Sequence, residues 1–135
     1  MNILLDTHIA LWALGDSPKL SEKARKLIMD PDNTIYFSSV SSWEVLIMHS
    51  APNTNLDLTV SEFITYCEEA GYYPLTISNN HIVSASELDI IEAEKHNHRD
   101  PFDRLLLAQA KAENLSFLTH DSKFDYYHEK CIIKV

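Results

Sequence analysis

Glycine is scarce in this chain: there are two in 135 residues, Gly15 and Gly71. No glycine-rich phosphate loop and no dinucleotide fingerprint can be assembled from so few, which excludes nucleotide binding by either route. Cysteine is as sparse. Cys67 and Cys131 lie far apart and read as buried free thiols of a cytosolic protein. Long apolar runs are missing; none approaches the roughly 20 residues that span a bilayer. The opening MNILLDTHIALWAL has no basic region and carries Asp6 and His8, which argues against a signal peptide and for a cytoplasmic protein with no membrane partner. Positive charge is also short, with 11 Lys and Arg against 20 Asp and Glu, a net of −9. That balance argues against nucleic acid as a partner, unless acids clustered around divalent cations reverse the local sign. A basic protein partner would suit it as well.

What is present is enough for one globular domain over residues 1–135, 45% hydrophobic and 10% aromatic, able to bury a core without disulfides. Asn2–Asp6 (NILLD) reads as a buried strand and His8–Leu14 as a short helix ended by Gly15. Ser21 caps a helix over Glu22–Met29, and Thr34–Ser38 (TIYFS) is a second strand. Ser41 or Ser42 caps the next helix, through about His49. Thr59 with Glu62 forms a capping box opening a helix that ends at Gly71. Tyr73–Ile77 is a third strand, and Ser78 caps a helix to about Leu88. Asp89–Arg99 is polar and ambiguous. Asp100-Pro101 is a clear helix start, Leu115–Thr119 a fourth strand and Cys131–Val135 a fifth. Strands alternating with helices imply an α/β domain with an open, mainly parallel five-stranded sheet and helices on both faces. Such sheets bind ligands beyond the carboxyl ends of their strands.

Four acids converge on that edge. Asp6 ends the first strand, and Asp121 follows the fourth. Glu44 and Asp103 fall in first turns of helices. Burying like charges together is costly unless a cation offsets them, and oxygen-only ligands suit Mg²⁺ or Mn²⁺. Such ions can activate water and stabilise displacement at a phosphodiester. Each acid also has a plain structural explanation. Asp100 is a helix cap. Asp103 can reciprocate as a capping-box acid or favour the helix dipole, and so can Glu44 through the dipole. Asp6 can cap the first helix. The four together are harder to explain in that way.

At these residues the chain resembles the PIN-domain family, specifically VapC-like toxins of type II toxin–antitoxin pairs. The matching pieces are LLDTHIALWAL, SSVSSWEVLI, HRDPFDRLLLAQAKAENLSFLTHD and the short C-terminal strand, spread in the family's order over nearly the whole chain. The resemblance implies a Mg²⁺- or Mn²⁺-dependent endoribonuclease acting on RNA. It also implies a homodimer, neutralised by a small antitoxin and linked to DNA only through it. It assigns Asp6, Glu44, Asp103 and Asp121 as metal-binding acids. Thr119 becomes a supporting hydrogen-bonding residue, and Asp100 a cap or outer support. Arg104 either pairs with one of these carboxylates or faces RNA. The competing reading is a weakly active or non-catalytic PIN-fold module that engages a protein; a DNA-directed phosphodiesterase is a third.

Two departures stand out. Met48 occupies a position where relatives carry lysine, and Ala51–Leu56 (APNTNL) has neither Gly nor Lys. The Asp89–His98 approach is longer and more charged than usual, as a specificity loop or a variable turn. Other features have two readings each. His96, His98 and Arg99 form either a phosphate-facing cationic group or a solvated loop. Phe124, Tyr126 and Tyr127 are either a base-stacking surface or a hydrophobic patch. The basic Lys23, Arg25 and Lys26 either guide RNA or face solvent. Trp12, Trp43, Phe37 and Phe102 read as core or dimer-face residues. Leu11, Leu20, Leu27 and Ile28 are candidates for an antitoxin groove.

Overall fold

The computed structural model describes all 135 residues. Its strands are β1 (Asn2–Leu5), β2 (Thr34–Ser38), β3 (Tyr73–Leu75), β4 (Ser116–Thr119) and β5 (Ile132–Lys134). They form one sheet in the order β3-β2-β1-β4-β5, and every adjacent pair is parallel. The central strand β1 alternates its side chains between two cores. Ile3 and Leu5 pack on one face with Ile9, Ala24, Phe37, Phe63 and Leu118. Leu4 packs on the other with Leu106, Leu107, Phe117 and Phe124. A strand buried on both sides must be apolar throughout, which is why NILL shows no polar alternation.

The helices are α1 (Thr7–Leu14), α2 (Glu22–Met29), α3 (Ser39–Ser50), α4 (Val60–Glu69), α5 (Asn79–Ser86), α6 (Ile91–Lys95) and α7 (Pro101–Ala112). Helices α1, α2 and α4 send residues into the first core, and α7 fills the second. Their ends follow local chemistry. Ser21 accepts from Ala24 N at the start of α2, the Thr59–Glu62 capping box opens α4, and Gly71 leaves that helix region with φ of 87°, where a Cβ would be strained.

Strand β3 stops at Leu75 and β5 spans only Ile132–Lys134, each shorter than the sequence pattern suggests, and two larger differences concern α3 and the Asp89–Arg99 stretch. Helix α3 begins at Ser39, capped by Ser38, whose hydroxyl accepts from Val40 N. The cap is therefore not Ser41 or Ser42. The strand-ending serine is the first in the run whose backbone is extended, and both Ser38 and Ser41 are buried. Glu44 consequently lies in the second turn of α3, beyond the strongest part of the helix dipole. The ambiguous Asp89–Arg99 stretch contains α6, and a 3₁₀ turn at Ser122–Tyr126 follows β4.

Candidate active site at the carboxyl edge of the sheet

Asp6 leaves β1 at the sheet's centre, where its backbone N–H donates to Leu118 O at 2.9 Å. Its side chain caps α1: Oδ1 accepts from Thr7 N at 2.8 Å. Oδ2 accepts from the Thr119 hydroxyl at 2.7 Å. That same hydroxyl accepts from Asp121 N at 3.1 Å, so Thr119 joins the first and fourth acids. Asp121 in turn caps the 3₁₀ turn, with Oδ1 accepting from Lys123 N at 2.9 Å.

Glu44 reaches the edge from α3. Its Oε1 accepts from the Thr7 hydroxyl at 2.8 Å. Thr7 Oγ1 also lies 2.8 Å from Ser41 Oγ; with its proton on Glu44, it accepts there. Asp103 projects from the first turn of α7, where Asp100 caps the helix by accepting from Phe102 N and Asp103 N. Asp103 does not complete a capping box. Its Oδ2 accepts instead from His98 Nε2 at 3.0 Å.

Burial is the main cause of the shifted acidities. It raises the Asp6 carboxyl against the lowering effect of Thr119 and Thr7, with Asp121 adding to the rise. It pushes Glu44 up to about 7, where Thr7 opposes it and the fields of Asp103, Asp6 and Asp100 reinforce it. Asp103 is raised to about 6, again chiefly by burial, with the His98 bond lowering it and Asp100 and Asp6 raising it. Asp6, Glu44 and Asp103 therefore stand within one another's fields. The fold has gathered acids that resist being charged together.

No three His, Cys, Asp or Glu side chains are drawn together to grip one metal ion. The donor chemistry nonetheless fits a hard divalent cation. Each of the four acids has an oxygen fixed by a protein donor, and Glu44 Oε2, Asp103 Oδ1 and Asp121 Oδ2 have none. A cation would also offset the charge that burial opposes.

Asp6 and Asp121 line an open cleft of about 270 Å³ with His8, Trp12 and His120. The Trp12 ring sits 6.0 Å from His8 and 5.6 Å from His120.

A model of the PIN domain matches residues 3–130. The chain belongs to the PIN domain family. PIN domains are typically nucleases and generally use divalent metal ions. Among solved structures, this PIN domain is similar to VapBC2 from Rickettsia felis bound to a DNA fragment from the promoter. The TM-score is 0.68 at 20% identity, covering 99% of this chain and 98% of that one. It is similar to DNA-bound VapBC from Salmonella typhimurium, with a TM-score of 0.69 at 14% identity and the same coverages. It also resembles VapBC-5 from Mycobacterium tuberculosis, at 0.63 and 18%, covering 99% and 98%. No curated protein sequence matches it.

Several residues of this PIN domain sit otherwise than their chemistry first suggests. Arg104 touches none of the four acids; it bonds Tyr127 Oη, Glu94 Oε1 and His98 O at 3.0, 3.1 and 2.9 Å. The cationic trio before Asp100 is dispersed. His98 is buried on Asp103, Arg99 pairs with Glu94, and His96 stacks on Tyr126 at 4.0 Å. Phe124, Tyr127 and Phe37 are core residues, whereas Trp43 is 53% exposed. Leu20 is also core. Leu11 instead lines an apolar groove of about 610 Å³ with Trp12, Met48, Leu56, Leu58 and Tyr66. Met48, where the family resemblance leads one to expect a lysine, thus serves that groove.

Sequence patterning misses Thr7 and gives Ser41 and His98 other roles, a helix cap and a phosphate-facing cation. The first follows Asp6 directly, and Ser41 lies one turn before Glu44 on α3. His98 stands five residues before Asp103, a spacing that no regular helix explains.

Proposed function

We propose that this chain is a metal-dependent endoribonuclease toxin that hydrolyses RNA phosphodiester bonds and is neutralised in the cytoplasm by a cognate antitoxin. The observation that carries the reading is the convergence of Asp6, Glu44, Asp103 and Asp121 on the carboxyl edge, each with a carboxylate oxygen fixed by a protein donor. These four acids would hold Mg²⁺ or Mn²⁺, which when bound supplies an activated water and offsets charge on the phosphate.

The remaining work falls to the chain itself. Thr119 and the Thr7 N–H fix Asp6, and the Thr7 hydroxyl orients Glu44. Asp100 holds the start of α7 and with it the root of Asp103. Arg104 supports the site at one remove, through the backbone of His98. The cleft beside Asp6 and Asp121 is open enough for a strand to approach, and Trp12 offers an aromatic surface there.

The VapBC complexes to which the fold is similar support an antitoxin partner, with DNA reached only through it. Exposed Trp43, Leu46 and Ile47 on α3, and Ile82 and Val83 on α5, support a homodimer. The competing reading, a PIN-fold module that binds a protein without catalysis, is favoured by the net charge of −9 and by Met48 lining an apolar groove.

The deciding experiment incubates total cellular RNA with purified protein in Mg²⁺ or Mn²⁺, with EDTA, and beside Asp6→Asn. Discrete fragments that require both metal and Asp6 are expected. Cleavage that survives Asp6→Asn would refute the assignment, and no cleavage by folded, antitoxin-free protein would favour the binding module.

A further inference from the structure

His98 is buried at 4% exposure between α6 and α7. Its Nε2 lies 3.0 Å from Asp103 Oδ2, while its Nδ1 is buried with no partner at all. An ionised carboxylate only accepts, so the ring nitrogen facing it carries the hydrogen. Placing a hydrogen on Nδ1 as well would bury an unsatisfied N–H. Nε2 is therefore the ring nitrogen that donates, and Nδ1 is left as a buried acceptor.

The ring is enclosed by aromatic neighbours and its backbone is held on both sides. Its centre lies 6.0 Å from that of the Phe124 ring and 5.4 Å from that of the Tyr127 ring, with both rings nearly perpendicular to it. The His98 N–H donates to Ala93 O at 2.8 Å. Its carbonyl accepts from Arg104, which Glu94 and Tyr127 hold in turn. This support fixes a ring with one nitrogen satisfied and the other wasted. A histidine placed only for packing has no need of that arrangement; an apolar ring would fill the space without an orphaned acceptor.

We infer that His98 is a positioning residue for the metal centre. It holds Oδ2 of Asp103 and leaves Oδ1, which has no protein partner, as the oxygen that meets the cation. The inference rests on the proposed metal-dependent function and deepens it. Losing a donor that orients a ligating carboxylate typically costs about 10- to 100-fold in metal affinity. The polar stretch before Asp100 then has a definite role, in which α6 and Arg104 together place one imidazole.

The test measures Mn²⁺ binding by calorimetry for the intact chain, His98→Leu and His98→Gln, with melting curves to verify folding. His98→Leu should bind Mn²⁺ about 10- to 100-fold more weakly, and His98→Gln, which keeps an N–H donor, should recover much of the loss. Nitrogen NMR of the metal-free chain should find His98 as the Nε2–H tautomer. A folded His98→Leu that binds Mn²⁺ like the parent, or an Nδ1–H tautomer, overturns the role of His98 alone. If His98→Leu fails to fold, the tautomer and the glutamine variant decide: weak binding by folded His98→Gln despite its donor also counts against the inference. A parent chain that binds no Mn²⁺ removes the proposed function together with it.

Discussion

The Thr119 hydroxyl donates to Asp6 Oδ2 at 2.7 Å across 113 residues of sequence. The bond crosses from β4 to β1 at the point where the two strands leave the sheet. The same oxygen accepts from Asp121 N, so one side chain serves two acids.

Thr119→Val should therefore remove a donor and an acceptor from a buried site at once. We expect a stability loss of about 1–3 kcal/mol, read by urea denaturation, together with reduced RNA cleavage. Thr119→Ser should retain most of both. Equal damage from serine and valine would show that the methyl group, not the hydroxyl, matters.

Glu44 makes stability depend on pH in a defined direction. Its acidity is raised from 4.5 in the free group to about 7 in the fold, chiefly by burial. The folded chain thus holds this proton more tightly than the unfolded one. The resulting stabilisation is complete below the unfolded value and is lost as pH rises through about 7. Asp103 acts in the same sense, through about 6. In EDTA the melting temperature should be higher at pH 5 than at pH 8 through these groups, and Glu44→Gln should flatten the difference. An unchanged slope in that variant would refute the assignment.

Divalent cations should reverse that penalty. Ligating acids must be deprotonated, and a ligand that binds only the folded state raises its stability. Added Mn²⁺ should raise the melting temperature more at pH 8 than at pH 5. An Asp6→Asn variant should lose most of the increment. A shift that is equal at both pH values would point to binding away from these carboxylates.

A second polar cluster sets the base of α3. Gln109 is fully buried on α7, and its Oε1 accepts from the Ser38 hydroxyl. That hydroxyl also caps the helix bearing Glu44. Gln109→Leu leaves the Ser38 donor unpaired and should cost about 1–3 kcal/mol. Ser38→Ala combined with Gln109→Leu should cost less than the two single changes summed, because the pair is coupled. Strict additivity in denaturant melts would show that the bond contributes nothing.

The legible parts of the chain are those written in local chemistry. Ser21, Asp100-Pro101 and the Thr59–Glu62 box mark helix starts by their own side chains, and the structure places α2, α4 and α7 there. The all-parallel sheet follows from strands that alternate with helices. The start of α3 is not legible in the same way, because Ser38, Ser39, Ser41 and Ser42 are equally good caps in isolation. Only the end of β2 selects among them. Convergence of the four acids on one edge can be argued from strand ends. Their donors cannot, because Thr7 to Glu44 and His98 to Asp103 depend on packing between separate elements. The short α6 carries no capping side-chain bond, so nothing in its sequence announces it.

The margins of the sheet carry a consequence for assembly. One outer strand, β3, is only Tyr73–Leu75 and has Pro74 at its middle, opposite Phe37. The other, β5, is Ile132–Lys134 and ends in a charged residue. Neither offers a long, flat template onto which another polypeptide could zip, and proline withholds a hydrogen from such a seam. Edge-to-edge pairing of one sheet with another through either margin is thereby disfavoured.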